Sequence, residues 1–582
     1  MDAEVTGRLL VTIDGLARRA MAKAFPELDV ASLNPDVRPT ADAKFGDYQI
    51  NGVLPLAKTL KGNPRALAQK VVDALDGEGV VGPPEIAGPG FINLRLVPDW
   101  VAREVGLIAI DHARLHVSPV ATPDTIVVDF SSPNVAKRMH VGHLHSTVIG
   151  DALVRTLRFL GHTVIGDNHI GDWGTQFGIL LWAWKLERDE AALAADPIGE
   201  LERLYKLGTA KAKADEAVAA ACRAELQALQ AGDPERHALW QRFVAISRAE
   251  AETIYARLEV DFDAWLGESS YNDRLAPLVD ELLASGLATV SEGAVVIFLD
   301  EPGLPKTPFL IRKSDGAFLY ATTDIATIEH RIRHFHATKS IYVVDVRQSD
   351  HFRQLFATAR RLGLEVGLEH VGFGMMLGAD GRPFKTRDGG VVRLDQLLDE
   401  AEERILPLVR EKWPSAPEDQ QRAIAAKVGV GAVKYADLAQ NLATDYKFDW
   451  EKLLAADGNT GPYLQYTLVR ALSVFREHEA RLQTAFVPDG RPVQLDNDEE
   501  KALAWELVRF GDAVERVGQT LLPHFLCEYL YGLARAFNAF YAKHTILGDE
   551  ATRTSRMTLT HVVHRTLEAG LSCLNIPRVA RM

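Results

Sequence analysis

The sequence predicts an α/β protein with a doubly wound parallel sheet at its centre, a small α+β module before it and an all-α region after it. An apolar run over 126–128 ends in Asp129 and leads through a turn into a helix that ends near Gly161. A second strand follows over 162–167, ahead of a glycine-punctuated loop. From 394 onward strand signals vanish and apolar residues keep a helical period. Strands and helices that alternate in the middle of the chain therefore indicate parallel pairing.

Residues 1–115 are expected to form an N-terminal α+β domain. Its predicted helices cover 5–24, 51–61 and 64–75, and a short strand ends near 94. In that strand Phe91 and Asn93 alternate with Ile92, so the first two are expected to share an exposed face. An exposed ring beside an amide can stack on and hydrogen-bond an unpaired RNA base. Periodicity alone favours the other interpretation, in which Phe91 belongs to the core.

The turn and helix after Asp129 carry the strongest chemical signal in the chain. A helix N-terminus offers free N–H groups and a favourable dipole to phosphate, so strand–turn–helix is a common nucleotide-binding setting. In the first turn His140 and His143 can donate to phosphate oxygens and stabilise charge on a phosphate under attack. Gly142 has no Cβ and lets a planar ligand approach the backbone. Without this setting, an H-x-G-H sequence would usually be two polar residues at a helix start.

Residues 123–395 are expected to form the central domain, with a helical insertion at about 187–290. Most charges of the insertion are expected to be a solvated face. After it, Tyr320 and Asp324 are four residues apart and project from one side of a predicted helix. Capping a helix is the commoner role for such an aspartate. Gln348 follows a buried strand, at the carboxyl edge where open α/β sheets bind ligands.

Length and composition set further limits. A chain of 582 residues is expected to contain three or four domains. Its three cysteines are far apart without a C-x-x-C pair, which argues against disulfides or a thiolate zinc site and suits the cytoplasm. No segment reaches the length of a membrane span, and none resembles a signal peptide. The net charge of −14 disfavours non-specific binding to nucleic acid but allows a local basic face.

A basic loop follows the next predicted strand, at Phe384-Lys385-Thr386-Arg387. A flexible basic loop in this position suits a mobile clamp on the pyrophosphate of a nucleotide, and the alternative is a merely solvent-exposed basic loop. Beyond it, residues 396–582 are expected to form an α-helical domain, including one helix over 499–517. Tyr463 and Tyr466 are candidates there for stacking on unpaired bases, although most rings in such clusters are core.

The segment S-P-N-V-A-K-R-M-H-V-G-H over 132–143 resembles the signature region of class I aminoacyl-tRNA synthetases, and in particular that of arginyl-tRNA synthetases. The resemblance extends over essentially the whole chain. It implies a Rossmann-like catalytic domain with a helical insertion, an N-terminal domain that contacts the tRNA elbow, and a C-terminal anticodon-binding domain. The implied reaction attaches L-arginine to tRNA(Arg) through an arginyl-adenylate, with ATP and Mg²⁺ as the substrate complex and AMP and pyrophosphate released. The resemblance implies no tightly bound metal in the protein. It also implies that the protein is a monomer.

The same resemblance implies roles for individual residues. The catalytic set comprises Lys137, His140, Gly142, His143, Lys385 and Arg387. The arginine-binding set comprises Asp129, Ser132, Asn134, His143, Tyr320, Asp324 and Gln348. The ATP-binding set comprises His140, His143, Met376, Phe384 and Lys385, and the tRNA-binding set comprises Phe91, Asn93, Tyr463 and Tyr466. Two departures stand out: the basic loop differs from the common K-M-S-K-S pattern, and His145 stands where the family usually has arginine.

A planar guanidinium is best held by carboxylates in forked geometry. Asp129 and Asp324 come from separate strand edges and are expected to meet over one crevice, where Tyr320 and Gln348 complete the hydrogen bonding. One alternative is a non-catalytic relative that binds RNA or senses arginine, and the altered loop is its only support. A weaker alternative is another class I member or a small nucleotidyltransferase with H-x-G-H.

Overall fold

The structure is a computed structural model that describes residues 8–40, 42–378, 380–382, 384 and 392–581. It confirms the predicted fold class, with an antiparallel sheet and helices first, a parallel sheet in the middle and a helical region last. None of the helices within these described ranges is long and apolar enough to cross a membrane. The cysteines Cys222, Cys527 and Cys573 are buried free thiols.

The N-terminal region is a four-stranded antiparallel sheet with helices packed on it. The strands are β1 (Val37–Pro39), β2 (Tyr48–Ile50), β3 (Glu85–Ala87) and β4 (Phe91–Leu94), in the order β1-β2-β4-β3. The helices are α1 (Leu9–Ala24), α2 (Val53–Leu60), α3 (Pro64–Ala74) and α4 (Pro98–Ile110). Asn63 caps α3 by accepting from Arg65 N–H at 2.9 Å, and Pro64 suits the first helical position because its missing N–H needs no partner.

The expected exposed face of β4 is corrected in part. Ile92 is fully buried, as predicted, and Phe91 is half-buried. Asn93 is also buried, because its amide oxygen accepts from Gln49 Nε2 at 2.7 Å on the neighbouring strand β2. Alternation fails here since the buried amide is satisfied by a cross-strand partner rather than by solvent.

The central sheet has four parallel strands. They are β5 (Thr125–Asp129), β6 (Thr163–Asp167), β10 (Lys339–Asp345) and β11 (Gly367–Phe373), in the order β11-β10-β5-β6. Helix α5 (Val141–Phe159) connects β5 to β6 and packs closely on β5, since a Cβ at Gly150 would lie 2.2 Å from the ring of Phe130. Asp129 and Asp167 are paired in register at the carboxyl ends of β5 and β6.

The segment between the two halves of this sheet is helical, as expected of the insertion. Its helices are α6 (Gln176–Glu187), α7 (Glu190–Ala195), α8 (Pro197–Ala214), α9 (Glu216–Gln230), α10 (Pro234–Leu258) and α11 (Asn272–Ala284). A small antiparallel sheet follows, with β7 (Thr289–Ser291), β8 (Ala294–Ile297) and β9 (Phe309–Arg312). Helices α12 (Tyr320–Phe335) and α13 (Ser349–Arg361) then flank β10 in the chain.

The last third of the chain is mainly helical. Strand β12 (Met376–Leu377) pairs in parallel with β13 (Tyr446–Lys447). The helices are α14 (Leu394–Lys412), α15 (Glu418–Leu438), α16 (Trp450–Leu453), α17 (Gly461–Leu482), α18 (Asp498–Leu507), α19 (Phe510–Thr520), α20 (His524–Lys543) and α21 (Glu550–Cys573). The prediction of a single helix over 499–517 is wrong, because the helix is interrupted between α18 and α19. Beside this interruption the Arg509 guanidinium lies 4.0 Å from the centre of the Trp505 ring.

The N-terminal region and the last helices are clasped together. The Tyr48 hydroxyl donates to Asp512 Oδ2 at 2.9 Å, and Leu10 N–H donates to its Oδ1 at 2.7 Å. Arg8 forms an ion pair with Glu515 at 2.7 Å. Burial raises the pKa of Asp512 to about 6. The helical region is also tied to the central domain, since the buried ammonium of Lys434 donates to Leu258 O at 2.7 Å.

Candidate active site

The turn after β5 has an unusual backbone. Ser131, Ser132 and Ala136 all lie in the left-handed region, with φ of 72°, 47° and 63°. Such conformations are costly for residues other than glycine and persist only where the surroundings enforce them. The enforcing bonds run from Ser131 N–H to Ser146 Oγ at 2.8 Å and from Ser132 N–H to Asn168 Oδ1 at 3.1 Å. The turn is therefore held in one shape at the carboxyl edge of the sheet.

His140 and His143 form a close pair of tilted rings at the start of α5. His140 N–H donates to His143 Nδ1 at 3.1 Å, and Gly142 N–H donates to His140 Nδ1 at 3.1 Å. The ring centroids are 4.0 Å apart. Burial and the neighbouring His140 lower the pKa of His143 to about 3, and burial with Lys137 lowers the pKa of His140. Both rings are therefore neutral near pH 7, and since each Nδ1 accepts, each Nε2 carries the proton and can donate.

Gly142 and Lys137 complete this end of the site. A Cβ at Gly142 would lie 2.9 Å from His140 Cε1, so the absence of a side chain there leaves room for the His140 ring as well as for a ligand. The Lys137 ammonium lies 4.8 Å from the ring of Tyr205 on α8. Its positive charge helps to lower the pKa of both histidines. A donor pair and a cation thus converge at one helix N-terminus.

Asp129 does not offer a free carboxylate, which corrects the expected pairing with Asp324. Its Oδ2 accepts from Arg331 Nη2 at 2.7 Å, and its Oδ1 accepts from Ser132 Oγ at 3.1 Å. Asp167 Oδ2 accepts from the same Arg331 nitrogen at 2.8 Å. Asp129, Asp167 and His169 are close enough to hold a metal ion, but the guanidinium already supplies the positive charge there.

A second carboxylate, that of Glu268, interacts electrostatically with Asp324. Burial, with Asp172 and Asp324 as nearby negative charges, raises the pKa of Glu268 to about 7. Partial burial and the charges of Glu268 and Asp324 also raise the pKa of Tyr320, whose side chain is 63% exposed. Asp324 carries one internal partner, His351 Nε2 at 2.5 Å. The space that Glu268, Asp324 and Tyr320 share, called the crevice below, carries negative charge and so suits a cation.

The other residues expected to bind arginine lie around this crevice. Asn134 is exposed in the turn, bridged to Gly171 on the opposite side. Gln348 is exposed at the end of a short 3-10 turn after β10, and His351 lies three residues later, in the first turn of α13. Sequence reasoning missed Glu268 because it lies in a charge-rich segment where one more glutamate carries no signal. Arg331 had a usable signal, since it is seven residues after Asp324 and so faces the same side of α12.

The expected nucleotide-clamp residues are only partly described. Lys385, Thr386 and Arg387 lie outside the described residues. Met376 is buried, and its carbonyl accepts from Phe384 N–H at 3.0 Å. The Phe384 ring packs 4.8 Å from Phe448. Met376 and Phe384 therefore pack at the start of the basic loop. Their contact with ATP stays a prediction.

His145 faces away from the crevice. It is buried, and its Nδ1 is paired with Asp437 on α15. The Tyr446 hydroxyl also donates to Asp437 Oδ1, at 3.2 Å. Burial acts to lower the pKa of His145, but the charge and hydrogen bond of Asp437 outweigh it and raise that pKa. His145 therefore supplies a cation at the junction between α5 and the helical region.

The candidate tRNA-binding rings of α17 differ in exposure. Tyr463 is half-buried, and its hydroxyl accepts from Asn538 Nδ2 at 2.9 Å. Tyr466 is 36% exposed, and the Arg470 guanidinium lies 4.8 Å from its ring and 5.2 Å from Tyr541. A ladder of exposed rings with an arginine between them can stack bases.

Comparisons with known proteins identify the family of each region of the chain. Residues 108–450 match the family described as tRNA synthetases class I (R), catalytic domain. Residues 464–582 match the DALR anticodon binding domain, and 13–96 match the arginyl tRNA synthetase N terminal domain. The expected boundary near 395 falls inside α14, and the predicted domain limits stay a proposal. The sheet, the histidine pair and the first of these matches define a class I aminoacyl-tRNA synthetase.

The relatives narrow this class. A protein of Laribacter hongkongensis named arginine–tRNA ligase is 44% identical over 576 residues, which cover 97% of this chain and 99% of that protein. One of the same name from Proteus mirabilis is 46% identical over 564 residues, covering 95% and 96%. The arginyl-tRNA synthetase structure from Plasmodium falciparum has a TM-score of 0.84 at 27% identity, covering 99% of both chains. The arginyl-tRNA synthetase structure from Thermus thermophilus has a TM-score of 0.81 at 26% identity, and the match covers 98% of this chain and 100% of that chain. The chain belongs to the arginyl-tRNA synthetases, which confirms the predicted family and kind of enzyme.

Proposed function

We propose that the crevice at the carboxyl edge of the central sheet activates L-arginine with ATP and passes the arginyl group to tRNA(Arg). The arginine carboxylate attacks the α-phosphate, pyrophosphate leaves, and the arginyl-adenylate transfers its acyl group with release of AMP. The names of the relatives support this reaction, and the non-catalytic alternative is not favoured. The observation that carries the proposal is the pair of neutral imidazole donors at the N-terminus of α5, directly after the strained turn at the carboxyl edge of the sheet.

Glu268 and Asp324 are proposed to bind the guanidinium, with Tyr320 and Gln348 as further hydrogen-bonding groups. Charge-assisted, forked bonds to carboxylates are the strongest that a guanidinium makes. Ser132 and Asn134 are assigned to the α-amino and carboxylate end, with Asp129 orienting the Ser132 hydroxyl through the bond at 3.1 Å. An uncharged analogue would not neutralise these partly buried carboxylates, so the site is proposed to discriminate against it without an editing step.

His140 and His143 are proposed to donate their Nε2 protons to the α-phosphate, where charge builds during attack. No side chain need form a covalent intermediate, so positioning and charge stabilisation supply the rate. Lys137 is assigned to the phosphates together with Lys385 and Arg387 of the basic loop. Met376 and Phe384 are assigned to the nucleoside side of ATP. Members of this class use ATP as a substrate, and we propose that Mg²⁺ enters with it.

Recognition of tRNA is assigned to both ends of the chain. Tyr466, with Arg470 and Tyr541 around it, is the better-supported candidate for stacking anticodon bases, and Tyr463 is the weaker one. Phe91 is a candidate at the tRNA elbow, and Asn93 would act there only through the buried bond to Gln49. The domain limits 1–115, 123–395 and 396–582 are retained in this proposal, as are a monomer and a cytoplasmic location.

The test is ATP–pyrophosphate exchange with arginine, run with and without cognate tRNA, on the wild type, Glu268→Gln and Asp324→Asn. We expect exchange that depends on arginine, and a Michaelis constant for arginine at least tenfold higher in both variants, because each loses one charge-assisted partner. The constant for ATP is expected to change less than twofold. Exchange that is absent in the wild type while tRNA binding persists would contradict the proposed reaction. Unchanged arginine dependence in both variants would contradict the carboxylate assignment alone.

A further inference from the structure

Arg331 is the largest fully buried side chain of the described residues, and it lies on α12 seven residues after Asp324. Its Nη2 donates to Asp129 Oδ2 at 2.7 Å and to Asp167 Oδ2 at 2.8 Å. The guanidinium carbon lies 5.2 Å from the centre of the Tyr342 ring. One nitrogen of α12 therefore joins the carboxyl ends of two adjacent strands, β5 and β6.

Each partner of Arg331 leads to a different part of the proposed arginine pocket. Asp129 accepts from the Ser132 hydroxyl in the signature turn. Asp167 Oδ1 accepts from Leu266 N–H at 3.4 Å, two residues before Glu268. Arg331 itself lies two helical turns from Asp324, about 10 Å along the axis of α12. The segments that carry the groups assigned to the two ends of the substrate are thus linked, through Asp129 and Asp167, to a single internal cation.

Several polar atoms at and around the buried Arg331 guanidinium lack hydrogen-bond partners, which is energetically unfavourable. Nε and Nη1 of Arg331 and the hydroxyls of Tyr342 and Tyr271 are buried with no hydrogen-bond partner among the described residues. Burial acts to lower the pKa of Arg331, but the carboxylates around it raise that pKa well above its usual value, so the group stays charged. Buried ion pairs often contribute little net stability compared with apolar residues of similar size. A geometric role explains this arrangement better than a stabilising one.

We propose that Arg331 is a positioning residue that fixes the distance between the two ends of the amino-acid pocket, and with it the side-chain length that the pocket accepts. This inference rests on the proposed assignment of Ser132, Glu268 and Asp324 to substrate arginine. Arg331 does not touch the substrate. It holds the α12 wall, the signature turn and the segment before Glu268 at one separation, so that a guanidino acid of one chain length reaches both ends at once.

The test compares arginine with homoarginine, which is one methylene longer, and with 2-amino-4-guanidinobutanoate, which is one shorter. Arg331→Lys keeps the charge, but its shorter side chain ends in a point charge and lacks the planar guanidinium whose Nη2 reaches both carboxylates. We expect its kcat/KM for arginine to fall at least tenfold, with the KM for ATP changed less than twofold. One misplaced methylene is typically worth about 10–200-fold in discrimination, and we expect at least tenfold of that selectivity to be lost. Arg333→Lys, on the exposed side of α12, is the matched control and should match the wild type.

A second variant keeps the test decisive if Arg331→Lys does not fold. Asp167→Asn preserves the shape of the partner, weakens its hold on the guanidinium, and is expected to relax the same chain-length selectivity. Unchanged selectivity in every folded variant overturns the proposal. If Asp324→Asn also leaves the KM for arginine unchanged, the pocket assignment fails. If Asp324→Asn raises that KM while Arg331→Lys and Asp167→Asn keep wild-type selectivity, only the positioning role of Arg331 is refuted.

Discussion

His143 and His145 lie two residues apart on α5, yet the two faces of this helix impose opposite protonation states. On the crevice side, burial beside His140 lowers the pKa of His143 to about 3. On the side of the helical region, Asp437 overcomes the effect of burial and raises the pKa of His145. The first ring is a neutral donor and the second is a cation. Local environment, rather than residue type, sets the chemistry of a histidine.

The contrast has a physical purpose on each side. A neutral imidazole whose Nδ1 is occupied can donate only through Nε2, which fixes the direction of its hydrogen bond. A charged imidazole paired with a carboxylate instead anchors α5 to α15, and the Tyr446 hydroxyl shares the same carboxylate. The crevice side serves the reaction and the opposite side serves the junction between regions. The predictions below separate these two roles.

The largest expected effect comes from removing the charge at the junction. His145→Ala leaves Asp437 buried without its cation, and breaking a buried pair in this way typically costs about 3–5 kcal/mol. We expect a marked fall in the thermal unfolding midpoint, measured by calorimetry. His145→Arg keeps a cation and is expected to lose much less. Equal midpoints for His145→Ala and the wild type would show that the pair does not stabilise the fold.

Removing the crevice histidine is expected to affect the rate and not the fold. His143→Ala loses one donor to the developing phosphate charge, which typically costs about 10²–10³-fold in rate. Pyrophosphate exchange in the presence of tRNA measures this loss. His162→Ala is the control, because that ring serves a turn at the far end of α5, where it accepts from Asp124 N–H at 3.0 Å. A wild-type rate in His143→Ala would remove His143 from the catalytic set.

A methyl group against the His140 ring is expected to have a smaller effect. In Gly142→Ala the new Cβ lies 2.9 Å from His140 Cε1, so the ring must shift and its bond to the Gly142 N–H weakens. We expect roughly a tenfold loss of kcat/KM for ATP, which corresponds to about 1.4 kcal/mol. Gly82→Ala, where the nearest atom is 3.8 Å away, serves as control. Equal kinetics for both variants would show that the His140 position is not critical.

The smallest expected effect is on the pH dependence of stability. A raised pKa for His145 means that its contribution is complete below about pH 6.5 and is lost as pH rises through its folded pKa. His143 behaves oppositely, since its contribution is present above about pH 6.5 and is lost as pH falls toward 3. Each unit of pKa shift is worth about 1.4 kcal/mol.

The measurement is the unfolding midpoint of the wild type and His145→Arg between pH 6 and 9. The wild type should lose stability relative to His145→Arg as pH rises, because arginine stays charged. The groups that face His145 are Asp437, Asp345 and Tyr446, and all three are retained in the comparison. Parallel curves for the two proteins would contradict a charged His145.

The sequence was sufficient for the sheet, the signature turn and the helical regions because these depend on local patterns. The apolar run before Asp129, the turn and the start of α5 were all located correctly. Long-range pairing could not be read in this way. Asp129 was expected to meet Asp324 over one crevice, but the structure pairs it with Arg331, 202 residues away, and the carboxylate that interacts electrostatically with Asp324 is that of Glu268. Binding of substrate by Asp129 stays a prediction. Periodicity reports which face a residue occupies and not which charge lies across from it.

The clasp between the N-terminal region and α19 also orders events in time. Tyr48 and its partner Asp512 are separated by 464 residues. At ribosomal speeds of about 5–20 residues per second, roughly 20–90 s pass between the synthesis of one and of the other. Throughout this interval the N-terminal region lacks the α19 residues to which it binds in the folded chain. Any slowing of translation before α19 is made lengthens the interval in which the surface around Tyr48 can form non-native contacts.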